Sequence, residues 1–464
     1  MISRLESKII DRNCEALGVP IETLMDNAGV ALYDALSKKF GDKKILFVCG
    51  VGNNGGDGMS CARRIGKRAT VALIYPPEAI KTTAARKQFD ALHKKYVMFS
   101  DVSLDQYEVV VDCVLGVGAR NPLDPPVKDY IKKLRNFKGP VVSTDIPTGF
   151  GTEMAVVPNI TVTFHDLKDG MTEDNCGKII IADIGIPGEA IHGVGIGDML
   201  RYPIPRGDSH KGENGRLLVI GGGPYVGAPA MSAMAAQRVG VDLVRIVVPK
   251  RCFVPVASMT PTFMTYELPG DILRESDVKF LLELTKKVDA VLIGPGLGTD
   301  ADTMTAVREF VLRCDKPMVV DADGIAAIAS MSVFSGTVIV TPHKHEFEEF
   351  SGFALASCDL IETAKKRNVT MLLKGETDVI ACPYKKKINS SGTPAMTVGG
   401  TGDVLSGLVA GLLAKGMNPF DSSCLGAFIS GTAGEKAFEL FSYGMIATDV
   451  IDMIPKVLID GLKG

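Results

Sequence analysis

The sequence is poor in features that would mark several large functional classes. Its ten cysteines, at 14, 49, 61, 113, 176, 252, 314, 358, 382 and 424, form no C-x-x-C pair, and most sit in apolar runs. Buried, reduced thiols fit that pattern better than disulfides or zinc ligands, and they suit a reducing cytoplasm. Only six histidines occur, without H-E-x-x-H. No run approaches the ~18–20 uninterrupted apolar residues of a membrane helix. Met1–Glu6 has no apolar core before acidic residues arrive, so neither a membrane span nor a secretory signal is expected. An excess of one charge is also missing: 51 Lys+Arg against 54 Asp+Glu leaves −3. A general nucleic-acid binder normally carries a strong basic excess.

Glycine, in contrast, is abundant: 50 residues in 464, roughly 11% against a typical ~7%. No collagen period or low-complexity tract accounts for them, so their positions carry the information. The length exceeds that of a usual single domain. In Glu22–Lys39 the positions Leu24, Met25, Ala28, Ala31, Leu32, Ala35 and Leu36 follow helical spacing. Short apolar runs at 44–49, 70–75, 108–115, 140–146, 159–164 and 178–185 then read as strands, with helices over 81–95 and 127–137 between them. Asp198–Gly215 breaks the rhythm with Pro203, Pro205 and mixed charge, and reads as a linker or the start of a new unit. The alternation restarts with strands at 216–220, 243–248, 290–293, 318–320, 337–340, 370–373 and 379–381. Helices fall at 229–239, 302–312, 358–366, 403–414 and 424–437. Two α/β domains are expected, 1–200 as a Rossmann-like doubly wound sheet and 208–464 as a second α/β unit.

Most informative glycines follow strands, where open α/β sheets bind ligands. Gly50–Gly58 reads as a loop able to turn sharply and aim N–H groups at an anion. It is neither G-x-G-x-x-G nor followed by G-K-[ST]. Asp112 stands inside a β-branched strand, where a carboxylate is costly unless paired or bound to a cation. With Asn54, Asp145 and Thr148 at neighbouring strand ends it makes an oxygen-rich set suited to a hard cation. Further along, glycines at 221–223, 294–298 and 399–402 follow strands or open helices. Gly399-Gly400-Thr401-Gly402-Asp403 runs straight into an apolar helix, whose free N–H groups and dipole suit an anion. Asp403 is positioned there as a general base toward a hydroxyl, or simply as a helix cap.

Gly399–Asp403 resembles the anion loop of the ribokinase-like superfamily. With Asp208–Gly212, Gly227-Ala228-Pro229, Gly294–Gly298 and Thr341-Pro342-His343, the second domain is similar to ADP- or ATP-dependent NAD(P)H-hydrate dehydratases. Leu24–Gly29, Asn53–Gly58, Asp112–Gly118 and Asp145–Gly149 resemble the NAD(P)H-hydrate epimerases. The fused order resembles the bifunctional NAD(P)H-hydrate repair enzymes over roughly residues 5–455.

That resemblance implies site residues. In the first domain Asn53, Asn54, Gly55, Gly56 and Asp57 would contact hydrated NADH or NADPH, together with Gly116, Val117, Gly118, Ala119, Arg120, Asn121, Pro122 and Asp145. Asn54, Asp112 and Thr148 would ligate K⁺, with Thr148 standing where a serine is commoner. In the second, Ala228, Gly298, His343 and Asp403 would contact the hydrated substrate. Lys374, Gly375, Glu376, Thr377 and Asp378, with Gly399, Gly400, Thr401 and Gly402, would form the nucleotide site for ADP or ATP with Mg²⁺. Asp145 and Asp403 are the expected catalytic groups, and a homo-oligomer without nucleic-acid or membrane partners is implied. Two other readings stay open: a kinase for a small alcohol on the same fold, and a first domain that senses ligand without catalysis.

Overall fold

The computed structural model describes residues 1–93, 95–117 and 122–463, and the chain separates into two compact α/β units, Met1–Ile191 and His192–Gly464. Gly193–Arg201 therefore packs with the second unit. There Asp198 is buried against Lys387 Nζ at 3.2 Å.

The first unit holds seven parallel strands: β1 (Ile45–Cys49), β2 (Ala69–Leu73), β3 (Val97–Met98), β4 (Val109–Cys113), β5 (Val141–Thr144), β6 (Ile160–Phe164) and β7 (Lys178–Ala182). Their order is β3-β2-β1-β4-β5-β6-β7. Burial follows strand alternation. Ile45, Phe47 and Cys49 enter the core on one face, while Leu46 and Val48 enter the core on the other. Strand order reverses between β1 and β4, the switch point at which such sheets bind ligands.

The second unit repeats the plan with β8 (Arg216–Ile220), β9 (Leu243–Val248), β10 (Met264–Glu267), β11 (Ala290–Ile293), β12 (Met318–Val320), β13 (Val338–Val340), β14 (Thr370–Leu373), β15 (Asp378–Cys382) and β16 (Lys385–Asn389). The order is β10-β9-β8-β11-β12-β13-β14-β15-β16, and the switch lies between β8 and β11. Among the described residues, only β14, β15 and β16 pair antiparallel.

Several elements differ from the sequence expectation. Gly50–Gly58 is not one anion loop: a helix spans Asn53–Ile65, with Gly52 as its N-cap. Glycine lowers helix propensity by ~1 kcal/mol, but here packing outweighs it. A Cβ on Gly55 would meet the Gly50 carbonyl, one on Gly56 the Met25 side chain, and one on Gly58 would lie 2.5 Å from Cys113 Sγ. These glycines let the helix press onto the sheet and onto the Ile21–Phe40 helix. The chain opens with a helix at Arg4–Ala16, capped by the Ser3 hydroxyl. β16 was not expected, and its three lysines suit the edge strand it forms.

The Thr401–Ala414 helix meets the Ala228–Arg238 helix in the same way, since a Cβ on Gly407 would collide with the Ser232 backbone. Gly407→Ala should therefore lower stability by about 1–3 kcal/mol through overpacking. Gly336→Ala, with nothing within 4 Å of the added Cβ, should stay near wild type. Denaturant unfolding of the two variants measures the contrast.

Candidate active sites

In the first unit the loops leaving β1 and β4 touch backbone to backbone, because a Cβ on Gly50 would run into the Val114 carbonyl. Beyond that contact opens a cavity of about 460 Å³. Asn53, Asn54, Asp57, Gly116, Val117 and Asp145 line it. Gly55 and Gly56 pack behind, and Pro122 is exposed away from the lining. Gly118, Ala119, Arg120 and Asn121 lie outside the described residues.

Asp145 follows β5 at φ +63°, a conformation that costs a non-glycine residue on the order of 1 kcal/mol. Its carboxylate lies 2.5 Å from Lys168 Nζ, and the ammonium is almost fully buried. Lys168 also donates to Thr163 Oγ1 at 3.0 Å and to the Phe164 carbonyl at 2.8 Å. Three acceptors hold it beside Asp145. Sequence reading missed Lys168, a lone lysine between β6 and β7 with no motif of its own. It also missed Asp11, which reaches the cavity from the Arg4–Ala16 helix. Desolvation and the Asp145 charge push the Asp11 carboxyl up to about 6, partly offset by Lys168.

Asn54 is buried, and neither its amide nitrogen nor its amide oxygen has a partner. A buried unpaired amide costs roughly 1–3 kcal/mol unless something else satisfies it. Asp112 is fully satisfied. It accepts from Thr148 N at 2.8 Å, Thr148 Oγ1 at 2.6 Å, Ser143 Oγ at 2.9 Å and Tyr130 OH at 3.0 Å. Burial raises its carboxyl above the usual range, and those donors pull against that rise. The strand carboxylate that looked costly in sequence is thus paired within the protein, and it ties β4 to the turn after β5.

In the second unit, a Cβ on Gly221 would strike the Pro295 carbonyl, and Gly222 N donates to that same oxygen at 2.8 Å. Gly294 and Gly296 are pressed against the Asp321 and Tyr225 carbonyls. Like Gly50 and Gly55, these glycines close backbone onto backbone. Gly298, at φ +77°, donates its N–H to Asp323 Oδ2 at 2.8 Å. Gly399 and Gly402 are different. Nothing lies within 4 Å of a Cβ on Gly399, and a Cβ on Gly402 would sit 3.6 Å from Lys374 Nζ. Gly400, at φ +98°, caps the Thr401–Ala414 helix without a side-chain cap bond. The helix start therefore presents its first N–H groups beside an ammonium.

Lys374 ends β14, with Nζ 2.9 Å from Asp321 Oδ1 and 4.0 Å from Glu346 Oε2. Burial alone would lower its pKa, but Asp321 and Glu346 outweigh that and raise it. Asp321 also accepts from Thr341 Oγ1 at 2.7 Å. Ala322, at φ +49°, separates Asp321 from Asp323. Neither aspartate was singled out from sequence, although D-A-D at the end of a strand is a signal that could have found them. Asp403 is partly buried, and desolvation together with Asp321 raises its carboxyl to about 7 against the pull of Lys374.

His343 caps the Lys344–Ser351 helix: its Nδ1 accepts from Glu346 N at 3.2 Å, and its Nε2 lies 3.6 Å from Glu346 Oε1. Ala228 begins the Ala228–Arg238 helix. Gly375, Glu376 and Thr377 form the exposed tip of the β14–β15 hairpin. Asp378 braces that turn by accepting from Gly375 N at 3.1 Å and Asn389 Nδ2 at 3.1 Å.

Comparison with known proteins now adds to this geometry. Residues 217–456 match the NAD(P)H-hydrate dehydratase family, and residues 21–170 match the family described as YjeF-related protein N-terminus. A bifunctional NAD(P)H-hydrate repair enzyme of Methanothermobacter thermautotrophicus is 38% identical, over 98% of this chain and 94% of its own. The corresponding enzyme of Pyrobaculum aerophilum is 37% identical, over 98% of both chains. An ADP/ATP-dependent NAD(P)H-hydrate dehydratase from Bacillus subtilis, crystallised with ATP and Mg²⁺, superposes with TM-score 0.50 at 26% identity, covering 56% of this chain and 94% of that one. A ribokinase-like superfamily protein from Enterococcus faecalis shares the fold, with TM-score 0.54 at 23% identity over 59% of this chain and 97% of that one. No helix among the described residues is long and apolar enough to cross a membrane.

The raised Asp403 carboxyl has a signed consequence. Its folded pKa, about 7, exceeds the ~3.9 of an unfolded aspartate. The folded state therefore binds the proton more tightly, and stability is lost as pH rises from ~4 through 7. Asp403→Asn should lose less stability than wild type between pH 5 and pH 8, as read from denaturant midpoints at each pH.

Proposed function

The chain belongs to the family of bifunctional NAD(P)H-hydrate repair enzymes, and from that premise we propose how its two units divide the work. Hydrated NADH and NADPH carry a hydroxyl at C6 of the reduced ring, as R and S epimers. The first unit interconverts the epimers, and the second dehydrates the S form in a nucleotide-dependent step that restores the cofactor.

In the first unit Asp145 is the base. Lys168 pairs with it and holds it facing the cavity. Asn53, Asn54, Gly116 and Val117 contact the dinucleotide. A K⁺ ion fits the set Asn54, Asp112 and Thr148, because the Asn54 amide oxygen lacks a partner and all three donors are hard oxygens. Asp112 would have to exchange the Thr148 hydroxyl for the ion. Bound there, K⁺ would supply positive charge toward substrate oxygens.

In the second unit the observation that carries the reading is Asp403, with its carboxyl raised to about 7 at a helix start beside Lys374. A base poised near neutrality suits removal of the C6 hydroxyl proton. The hydroxyl would take the terminal phosphoryl group of ADP or ATP. Phosphate then leaves, and the ring double bond returns. The Gly399–Gly402 N–H groups and the Lys374 ammonium would meet the phosphoryl charge. Mg²⁺ would neutralise phosphate charge, with the Asp323 carboxylate at hand to hold it. Mg²⁺ takes few protein ligands when phosphates and water supply the rest. His343 and Ala228 would bound the hydrated ring, while Lys374–Asp378 would border the nucleotide.

The test is incubation with hydrated NADH and either ADP or ATP, following the reduced-nicotinamide absorbance. Recovery is expected with an ascending pH limb near 7. Asp403→Ala should abolish recovery, a loss of at least ~100-fold, and leave epimer interconversion intact. No recovery, with stable phosphorylation of a small alcohol instead, would overturn the reading. Replacing K⁺ by Na⁺ should slow epimer interconversion and spare dehydration of the pure S form; equal rates in both salts would remove the ion from the site.

A further inference from the structure

Asp57 is a titratable group of the first cavity that the proposed function leaves unused for chemistry. It stands on the first turns of the Asn53–Ile65 helix, with its carboxyl open to the cavity and accepting no hydrogen bond from a described residue. Asp145 reaches the same cavity from a different element, the turn after β5. Its ammonium partner is already engaged by three acceptors. One aspartate is therefore paired and the other is not. A second observation marks the space between them as built for a polar ligand. The Asn54 amide, more than nine-tenths buried and without a partner, lines the same cavity. Gly116 leaves room there as well, since a Cβ on it would come within 3.2 Å of Asn54 Cβ and 3.7 Å of Asp145 Oδ2.

We infer that Asp57 is a second catalytic residue, the acid that works with Asp145 in a two-group epimerisation. This rests on the epimerase reading of the first unit. C6 is bonded to both the ring nitrogen and the hydroxyl. Asp57 gives its proton to the hydroxyl, the C–O bond breaks with its electron pair, and water departs. The N1 lone pair closes onto C6 to give an N1=C6 cation. Water adds to the opposite face of C6 and passes its surplus proton to the Asp145 carboxylate. One water leaves and one enters, so the substrate is inverted without net oxidation or hydration. Asp57 ends ionised and Asp145 protonated, which is the state needed for the reverse direction. Solvent exchange resets the pair.

The surroundings favour that assignment. Enclosure in the cavity, with the Asp145 and Asp11 carboxylates nearby, raises the Asp57 carboxyl well above the usual range, and only Lys168 opposes the rise. Two carboxyl groups that share one enclosed site, with the proton affinity of one raised by its surroundings, are the general pattern of acid and base pairs.

The experiment uses the full-length protein and the pure R epimer of hydrated NADH, without added nucleotide, and corrects for spontaneous epimerisation. Asp57→Asn is expected to lose at least ~100-fold in kcat with KM changed less than about threefold, and Asp57→Glu to recover part of the rate. A wild-type rate, or a loss confined to KM, would reduce Asp57 to a binding contact and overturn the proposal. In H₂¹⁸O the wild-type enzyme should place solvent oxygen in the inverted product above the enzyme-free control. This arm does not depend on the variants folding, and an inverted product that keeps its original oxygen would overturn the departure of water. Failure of the wild type to interconvert the epimers would sink the epimerase reading itself and this proposal with it, an outcome distinct from a variant that stays active.

Discussion

Both sites depend on one steric constraint, the closing of two strand-end loops onto each other at the point where strand order reverses. In the first unit Gly50 meets the Val114 carbonyl, and in the second Gly221 meets that of Pro295. A Cβ at either position would force the two loops apart. The helices that carry the proposed catalytic carboxyls are set by the same logic. Gly55, Gly56 and Gly58 let one helix lie directly on the first sheet, which brings Asn54 and Asp57 to the cavity. Gly407 and Gly411 let another press against its neighbour, which fixes the first turn and Asp403. Each glycine gives up some helix propensity, and tertiary packing offsets the loss. Rigid placement of this kind is what a catalytic carboxyl requires, because its reach to substrate tolerates little error.

Much of this was legible in the sequence for a physical reason. Buried parallel strands read as short apolar runs, so β1, β4, β5, β8 and β11 and the loops leaving them stood out, and with them Asn54 and Asp145, while Asp403 stood out from its glycine-rich helix start. What could not be read were contacts between distant segments. Gly50–Gly58 looked like a loop because glycine's role in helix packing is invisible until the packing partner is known. Met25 and Cys113, the partners of Gly56 and Gly58, lie far away in sequence. Lys168 sits in an irregular segment without a periodic or motif signal, and only the fold sets it against Asp145. Asp11 rides on a helix of mixed polarity, and β16 is a lysine-rich edge strand. In each case the deciding interaction is tertiary. Asp112 teaches the converse. Its cost in an apolar strand was read correctly, yet four protein donors meet that cost before any ion is considered.

The two sites are built on the same pair of groups, used in opposite senses. A buried ion pair is poor evidence of stability, since desolvation can cancel its attraction. Its presence at both sites is better explained by what it presents to a ligand. In the first unit the ammonium of Lys168 is the sealed partner at 7% exposure, and Asp145 is the more open one at 16%. In the second the carboxylate of Asp321 is sealed at 2%, and Lys374 is open at 20%. The first cavity therefore offers a carboxyl group held from behind by its ammonium partner, which suits the proposed carbon that becomes cationic as its hydroxyl departs. The second offers a positive group secured in the same way, next to helix N–H groups, which suits phosphoryl oxygens. Reversing which partner faces the ligand converts one electrostatic arrangement into two chemistries, without altering the parallel-sheet switch point that carries both.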